Sequence, residues 1–233
     1  MFMINKILLL IMLLTQPLAS LSIKDYLKNG KPGDFIVVEQ NKSLNLIRID
    51  SLKGSILILE EILLTKNKKQ KNSFAWENFF LNNSEACTSW NKITIDMKND
   101  EILGCYSVTK NVNISLNKED SFLISLLSSQ LHQVLDENRK KIGQIPSDGV
   151  DTRKNWNPPL IFDGKKIIGG CFDVFTINFT KNDSLLSNKH LEIYFNKDDK
   201  SFPFPYWIQI TDDLNLSLKI KICDSGRNLK LSK

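Results

Sequence analysis

Histidine is scarce in this chain. Its 233 residues hold two, His132 and His190. A hydrolase needs a nucleophile, a base and a group that orients the base, and two imidazoles leave little room for one. Nothing resembles a nucleophile elbow or a cysteine-protease signature. The four cysteines, Cys87, Cys105, Cys171 and Cys223, form no CxxC spacing, which argues against a zinc or thioredoxin-type site. After the first 22 residues no stretch is long and apolar enough to span a bilayer as a helix. There is no aromatic-rich basic strand of the RNA-binding kind, so nucleic acid is not an expected partner. Asp148-Gly149-Val150-Asp151 offers too few oxygen ligands for an EF-hand loop. Asp96 and Glu101 flank a hairpin turn and should face solvent, a weak case for a glycosidase pair. No cofactor or metal is expected.

The first 22 residues carry the layout of a secretory signal peptide. Lys6 precedes the apolar run Ile7 to Leu14, and the small residues Ala19, Ser20 and Ser22 follow. Cleavage can fall after Ala19, Ser20 or Ser22, and Ser22 fits the small-x-small rule best. No cysteine stands at the cleavage site for a lipoprotein anchor. Residues 23–233 then form one β-rich domain in an exported compartment, periplasmic or secreted.

Two basic regions stand out against a modest net charge of +5. Lys66, Lys68, Lys69 and Lys71 form the denser one, and Arg139, Lys140, Lys141, Arg153 and Lys154 the other. They read either as solvated loops or as contacts for an anionic membrane surface. Export permits disulfides, and four cysteines allow three pairings. Cys87 lies in a loop near the Cys105 strand, so Cys87 with Cys105 is the favoured pair. Six Asn-x-Ser/Thr sites, at Asn41, Asn82, Asn113, Asn178, Asn182 and Asn215, are a mild excess over chance.

Most of the domain reads as short strands. Ser22 to Gly30 is a short helix or an arm, and Pro32-Gly33-Asp34 turns into a strand over 35–40. A hairpin leads to 43–50, and 55–64 is apolar enough to be buried on both faces. A short helix over 74–81 carries Trp76. Hairpin strands over 88–96 and 101–108 come next. Residues 138–158 make a long surface loop. Strands over 159–162, 165–168, 171–180, 189–196, 206–211 and 216–222 complete about ten. In the last, Leu216, Leu218, Ile220 and Ile222 share one face.

The single long helical pattern is 117–136. Asn117 is a good N-cap, and Glu119 and Asp120 suit the first turn. Leu123, Ile124, Leu127, Leu131, Val134 and Leu135 fall within an arc of roughly 120°, while Phe122 and Leu126 fall outside it. Such a helix should be covered on more than one side. About ten antiparallel strands seldom stay flat. The fold class expected is therefore α+β, mainly β. It is a strongly curved antiparallel sheet or incomplete barrel wrapped on that one central helix.

Eight local motifs carry a resemblance. They are Pro32-Gly33-Asp34-Phe35, Ser89-Trp90, Tyr106-Ser107-Val108-Thr109-Lys110, Trp156-Asn157-Pro158-Pro159, Phe172-Asp173-Val174-Phe175, Glu192-Ile193-Tyr194, Phe204-Pro205-Tyr206-Trp207 and Asp224-Ser225-Gly226-Arg227. Together they resemble an uncharacterised family of exported proteins from chlamydia-like intracellular bacteria, over most of the chain. The resemblance implies a bacterial envelope setting and no activity. The expected architecture is also similar to the lipoprotein-carrier half-barrels of the periplasm, in fold only.

These readings lean away from an enzyme. The leading expectation is an exported envelope protein that binds a lipid or other apolar molecule between helix and sheet. Phe122 and Leu126 would line the space, with Trp76, Trp90 and Trp207 at its mouth. The alternatives are an envelope-acting hydrolase and a secreted effector that binds a partner. Asp224-Ser225-Gly226 reads as a C-terminal turn.

Overall fold

The structure, a computed structural model, describes residues 21–40, 43–65, 76, 87–115, 122–146, 151–180 and 186–231. After helix α1 (Ile23–Leu27) come six strands, β1 (Phe35–Gln40), β2 (Ser43–Lys53), β3 (Ile56–Thr65), β4 (Cys87–Asp96), β5 (Glu101–Ser107) and β6 (Val112–Ile114). Helix α2 (Phe122–Ser128) and the two-residue strand β7 (His132–Gln133) follow. Then come β8 (Leu160–Phe162), β9 (Lys165–Ile167), β10 (Phe172–Asn178), β11 (His190–Asn196), β12 (Trp207–Thr211) and β13 (Ser217–Gly226).

Eleven strands form one sheet in the order β6-β5-β4-β3-β2-β1-β13-β12-β11-β10-β7, and β8 with β9 form a separate hairpin. Every pairing is antiparallel. Each half is a meander, as short connections favour. The first and last long strands meet in the middle, with Phe35 opposite Gly226 and Val37 opposite Asp224. Both sheet edges are very short strands, which limits edge-to-edge pairing with other chains.

The expected central helix is not there. Residues 117–121 lie outside the described residues, and α2 ends at Ser128. Ser128 and Ser129 hydroxyls bond back to the carbonyls of Ile124 and Ser125, a local alternative that loosens a helix end. The chain then extends. Leu131 N–H donates to the Leu21 carbonyl, and His132 and Gln133 pair with Thr176 and Phe175 of β10. The open edge of β10 therefore takes residues that the apolar arc assigned to a helix. Leu126 and Leu127 join Ile23 and Leu27 of α1 on one face of the sheet. The sheet is neither wrapped on a helix nor closed into a barrel. The half-barrel analogy, drawn on that architecture, loses its basis and is not shown.

The two faces of the sheet's first half bury different things. Ile36, Ile49, Leu57, Leu59 and Ile95 point to the helix side. Phe35, Val37, Leu46, Ile62 and Leu64 point the other way and pack with Trp76 and Leu229. This is the strand period of two at work. On that second face Arg48 of β2 pairs with Glu60 of β3, and Lys92 of β4 sits 3.1 Å from Glu60 and 3.2 Å from Asp50.

On the helix side, Tyr26 stacks on Phe195 at 3.7 Å between ring centroids and meets Phe175 edge-on. Burial, with Asp173 nearby, pushes the Tyr26 phenol up to about 12. A phenol harder to ionise in the fold than in the open chain stabilises the fold below its ordinary value near 10. That contribution is lost as pH rises from about 10 towards 12. Tyr194 and Tyr206 are raised in the same sense, by burial first. The urea midpoint should therefore fall steadily above pH 10, and Tyr26→Phe should flatten part of the fall. Identical slopes for the two proteins would remove Tyr26 from the account.

Candidate functional site

Among the described residues, one end of the sheet leaves its apolar side exposed. Along β13, Ile222 is buried in the helix-side core, and Ile220 lies opposite Ile208. Leu218 lies opposite Ile210 but is 51% exposed, and Leu216 and Leu214 beyond it are 66% and 78% exposed. The apolar face read from the sequence thus runs out of the core into solvent. Single exposed leucines need no explanation, but a contiguous strip does.

The strip is held by an ordered turn. Asp212 Oδ1 accepts the N–H groups of Leu214 and Leu216 at 3.0 and 2.9 Å. Asp212 N–H donates to the Leu216 carbonyl, and Asn215 N–H to the Asp212 carbonyl. Asn215 takes the left-handed φ of 61° that the turn requires. A groove of about 440 Å³ opens beside it. Fully buried Leu186 is part of its lining, with Ile210, Leu216 and Leu218, and Lys189 and Asp212 add one charge of each sign. An apolar wall with a few polar groups is the usual make-up of a small-molecule site.

Of the residues singled out from sequence, Leu126 is not brought together with Trp76 and Trp90. Leu126 is 8% exposed and belongs to the core under α2. The Phe122 side chain lies outside the described residues. Trp76 and Trp90 pack in the cluster on the opposite face, while Trp207, opposite Lys221 in register, packs against the large core cluster that also holds Leu126. Trp76 donates its indole N–H to Asp224 Oδ2 at 2.7 Å. Trp90 packs in the same cluster as Trp76. Trp207 meets Trp156 edge-on at 5.1 Å. Trp156 in turn meets Tyr194 and carries Lys140 over its ring, which ties both residues to the sheet.

No disulfide joins the four cysteines. Cys87 begins β4 rather than lying in a loop. Cys105 faces Ile93, six residues along β4 from Cys87, roughly 20 Å at the strand rise. Cys171 and Cys223 are separated by β11 and β12, roughly 14 Å at ordinary strand spacing. Neither pair meets the geometry of a disulfide. Burial raises the Cys87 and Cys105 thiols, so neither is an activated thiolate.

The imidazoles are exposed on opposite flanks of β10. His132 is paired in register with Thr176, while His190 is paired with Asn178 and bonds its amide oxygen. Asp224-Ser225-Gly226 ends β13 and is not a turn. Its serine is buried, donating to the Ile161 carbonyl and lying 3.1 Å from the Tyr206 hydroxyl. Among the described residues no group of three His, Cys, Asp or Glu is spaced to hold a metal ion.

Lys66, Lys68, Lys69 and Lys71 lie outside the described residues. The second basic region is largely engaged. Arg139 bonds Asp136 and Asn157, while Arg153 and Lys141 both bridge Asp151. Those bonds, Arg153 first, hold the Asp151 carboxyl well below the usual carboxylate range.

Two findings from comparison bear on this arrangement. The fold matches the solved structure of the hypothetical protein CT021 from Chlamydia trachomatis with a TM-score of 0.66. The match covers 93% of this chain and 96% of that one, at 18% sequence identity. Residues 45–168, more than half of the chain, match the CT021 protein family model. The chain belongs to the CT021 protein family. No curated protein matches it. The resemblance read from the motifs thus holds for an uncharacterised chlamydial family.

The CT021 family segment runs from β2 to the β8–β9 hairpin. It contains Arg48, Glu60, Asp50 and Lys92, a buried charge network that sequence reading missed. Its one signal was the spacing Arg48-x-Asp50 in a strand facing the acidic Glu60. The groove beside β12 and β13 lies beyond that segment.

Proposed function

We propose that this CT021 family protein is a non-catalytic, exported protein of the bacterial envelope that binds an acyl chain or similar apolar molecule. The observation that carries the reading is the strip Leu214, Leu216 and Leu218 beside the groove, apolar residues in regular order that are more than half exposed. An aliphatic chain laid along Leu218, Ile210 and Leu186 would remove that surface from water. Lys189 suits an acidic head group at the same site. Lys66, Lys68, Lys69 and Lys71 would add contact with an anionic bilayer in this reading. Export is supported by the pattern of residues 1–22.

The test is a fatty-acid titration of the purified domain, alongside native mass spectrometry and lipid extraction. A long-chain fatty acid should bind and raise the melting temperature. Leu218→Asp should weaken binding at least tenfold, because it sets a charge where the chain lies. The residue is half exposed, so its own effect on stability should be small. A clean apo mass with no stabilisation by fatty acids or phospholipids would remove the carrier reading.

A further inference from the structure

Three cuts near the end of the leader-like segment satisfy its small residues, and the folded contacts of residues 21–25 separate them. Leu21 and Ser22 are parts of the domain. The Leu21 carbonyl accepts the Leu131 N–H at 2.8 Å. Ser22 forms a β-bridge with Gln130. Ser22 is also the N-cap of α1, with extended backbone at φ −133° and ψ 166°. Its backbone N–H and its hydroxyl both donate to Asp25 Oδ2, at 2.9 and 2.8 Å. Burial would raise the Asp25 carboxyl, but bonds from Lys28 and Ser22 outweigh it and hold it below its ordinary value. The helix is tied to the rest of the sheet as well, through Lys24 Nζ at 2.7 Å from Asp100 on the β4–β5 turn.

We infer that processing of the exported chain falls after Ala19 or Ser20, and not after Ser22, although Ser22 satisfies the small-x-small rule best. Cleavage after Ser22 would remove the whole arrangement. It would put a new ammonium group on Ile23, a buried core residue. That positive charge would sit at the positive end of a helix that has lost its cap. The buried Leu131 would lose the acceptor of its N–H. A cut after Ala19 or Ser20 keeps Leu21, Ser22 and all of these bonds, with a small residue at the position before the cut.

The inference rests on the export reading, and the experiment separates the two. The full chain is produced in a Gram-negative host, recovered by fractionation, and read by intact mass and N-terminal sequencing. A chain beginning at Ser20 or Leu21 is expected. A chain beginning at Ile23 overturns the inference and leaves export standing. An uncleaved chain overturns both. As a second measurement, proteins made to begin at Ser20 and at Ile23 are melted side by side. Loss of the cap should lower the Tm of the shorter one by about 3 °C or more. Equal melting temperatures would remove the physical ground for excluding Ser22.

Discussion

Replacing Arg48 with methionine is expected to lower stability by about 3 kcal/mol, the low end for breaking a buried ion pair from one side. Glu60, its partner across the β2–β3 pairing, is 2% exposed. With Arg48 gone, Glu60 keeps Lys92, 3.1 Å away on the next strand, as its one cation among the described residues. Burial would lower the Lys92 ammonium, but its bonds to Glu60 and Asp50 raise it above its ordinary value. Lys92 remains a cation through neutral pH, which is why the expected loss sits at the low end. Arg48 has a further task. Its Nε–H donates to the Leu229 carbonyl at 2.8 Å and so holds the chain that follows β13 over the second face. Arg48→Lys cannot reach Glu60, Asp50 and Leu229 at once, because a lysine offers one compact head where the guanidinium spans three. It should recover less than half of the loss. The double variant Arg48→Met with Glu60→Leu should recover most of it, since removing both buried charges leaves neither unpaired. Urea unfolding of the three proteins decides the matter. A single-variant loss under about 1 kcal/mol, or a double variant no better than the single, would show the network to be a surface feature.

Much of the sheet was legible because its strands alternate. In β13 and β11 the apolar and polar residues take turns, and the structure buries Leu191, Ile193 and Phe195 as that alternation requires, but it buries Tyr194 on the other face as well, where the alternation placed it in solvent. Turn residues marked the hairpins well: Asp163 and Gly164 both take positive φ between β8 and β9. The β3 segment was rightly read as buried on both sides, with Leu59 on one face and Ile62 on the other. The helix failed because an angular plot cannot see a sheet edge. Leu131 is buried whether its segment is helical or extended, so the same apolar residues satisfied both readings. The choice was made by the unpaired groups of β10, which lie far away in sequence. The pairing of β1 with β13 was hidden for the same reason. Nothing local in Phe35 or Gly226 reports a partner almost two hundred positions away.

The candidate site divides in the same manner. Leu216 and Leu218 were placed on one face from the sequence, and that was right. Their exposure was not legible, because alternation tells which residues share a face and not whether the face is covered. Asp212 looked like an ordinary turn residue, yet it fixes the leucines that follow. The tryptophans were grouped by chemistry alone. Trp76 and Trp207 each bury an apolar ring, but the sheet puts Trp76 on the side away from Leu126, while Trp207 packs against the cluster that holds Leu126.

Gly226→Ala is expected to cost about 2–3 kcal/mol, and Gly226→Val more, within the upper range for overpacking. The reason is space, not backbone freedom, since Gly226 does not adopt a left-handed φ. A Cβ there would lie 2.2 Å from Asp163 Oδ1 and 2.6 and 2.8 Å from two ring carbons of Phe35. Phe35 is buried among Val37, Leu46 and Leu229 and has little room to turn. Asp163 is fixed through its backbone, its N–H donating to the Ser225 carbonyl at 2.7 Å. Its carboxyl is raised by burial and then by Asp224, so moving it closer to that neighbour is unfavourable. The clash falls on the seam where β1 meets β13 and the two meanders join. A local opening there separates the halves of the sheet, so the loss should appear as one lowered, cooperative transition and not as fraying of an end. Adding Asp163→Gly to Gly226→Ala removes the nearest clash and should restore part of the stability, while Phe35 keeps the rest from returning. Thermal melts of the single and double variants test this. A Gly226→Ala protein within about 0.5 kcal/mol of the parent would mean that Phe35 and Asp163 yield freely, and that the seam between the halves is loosely packed.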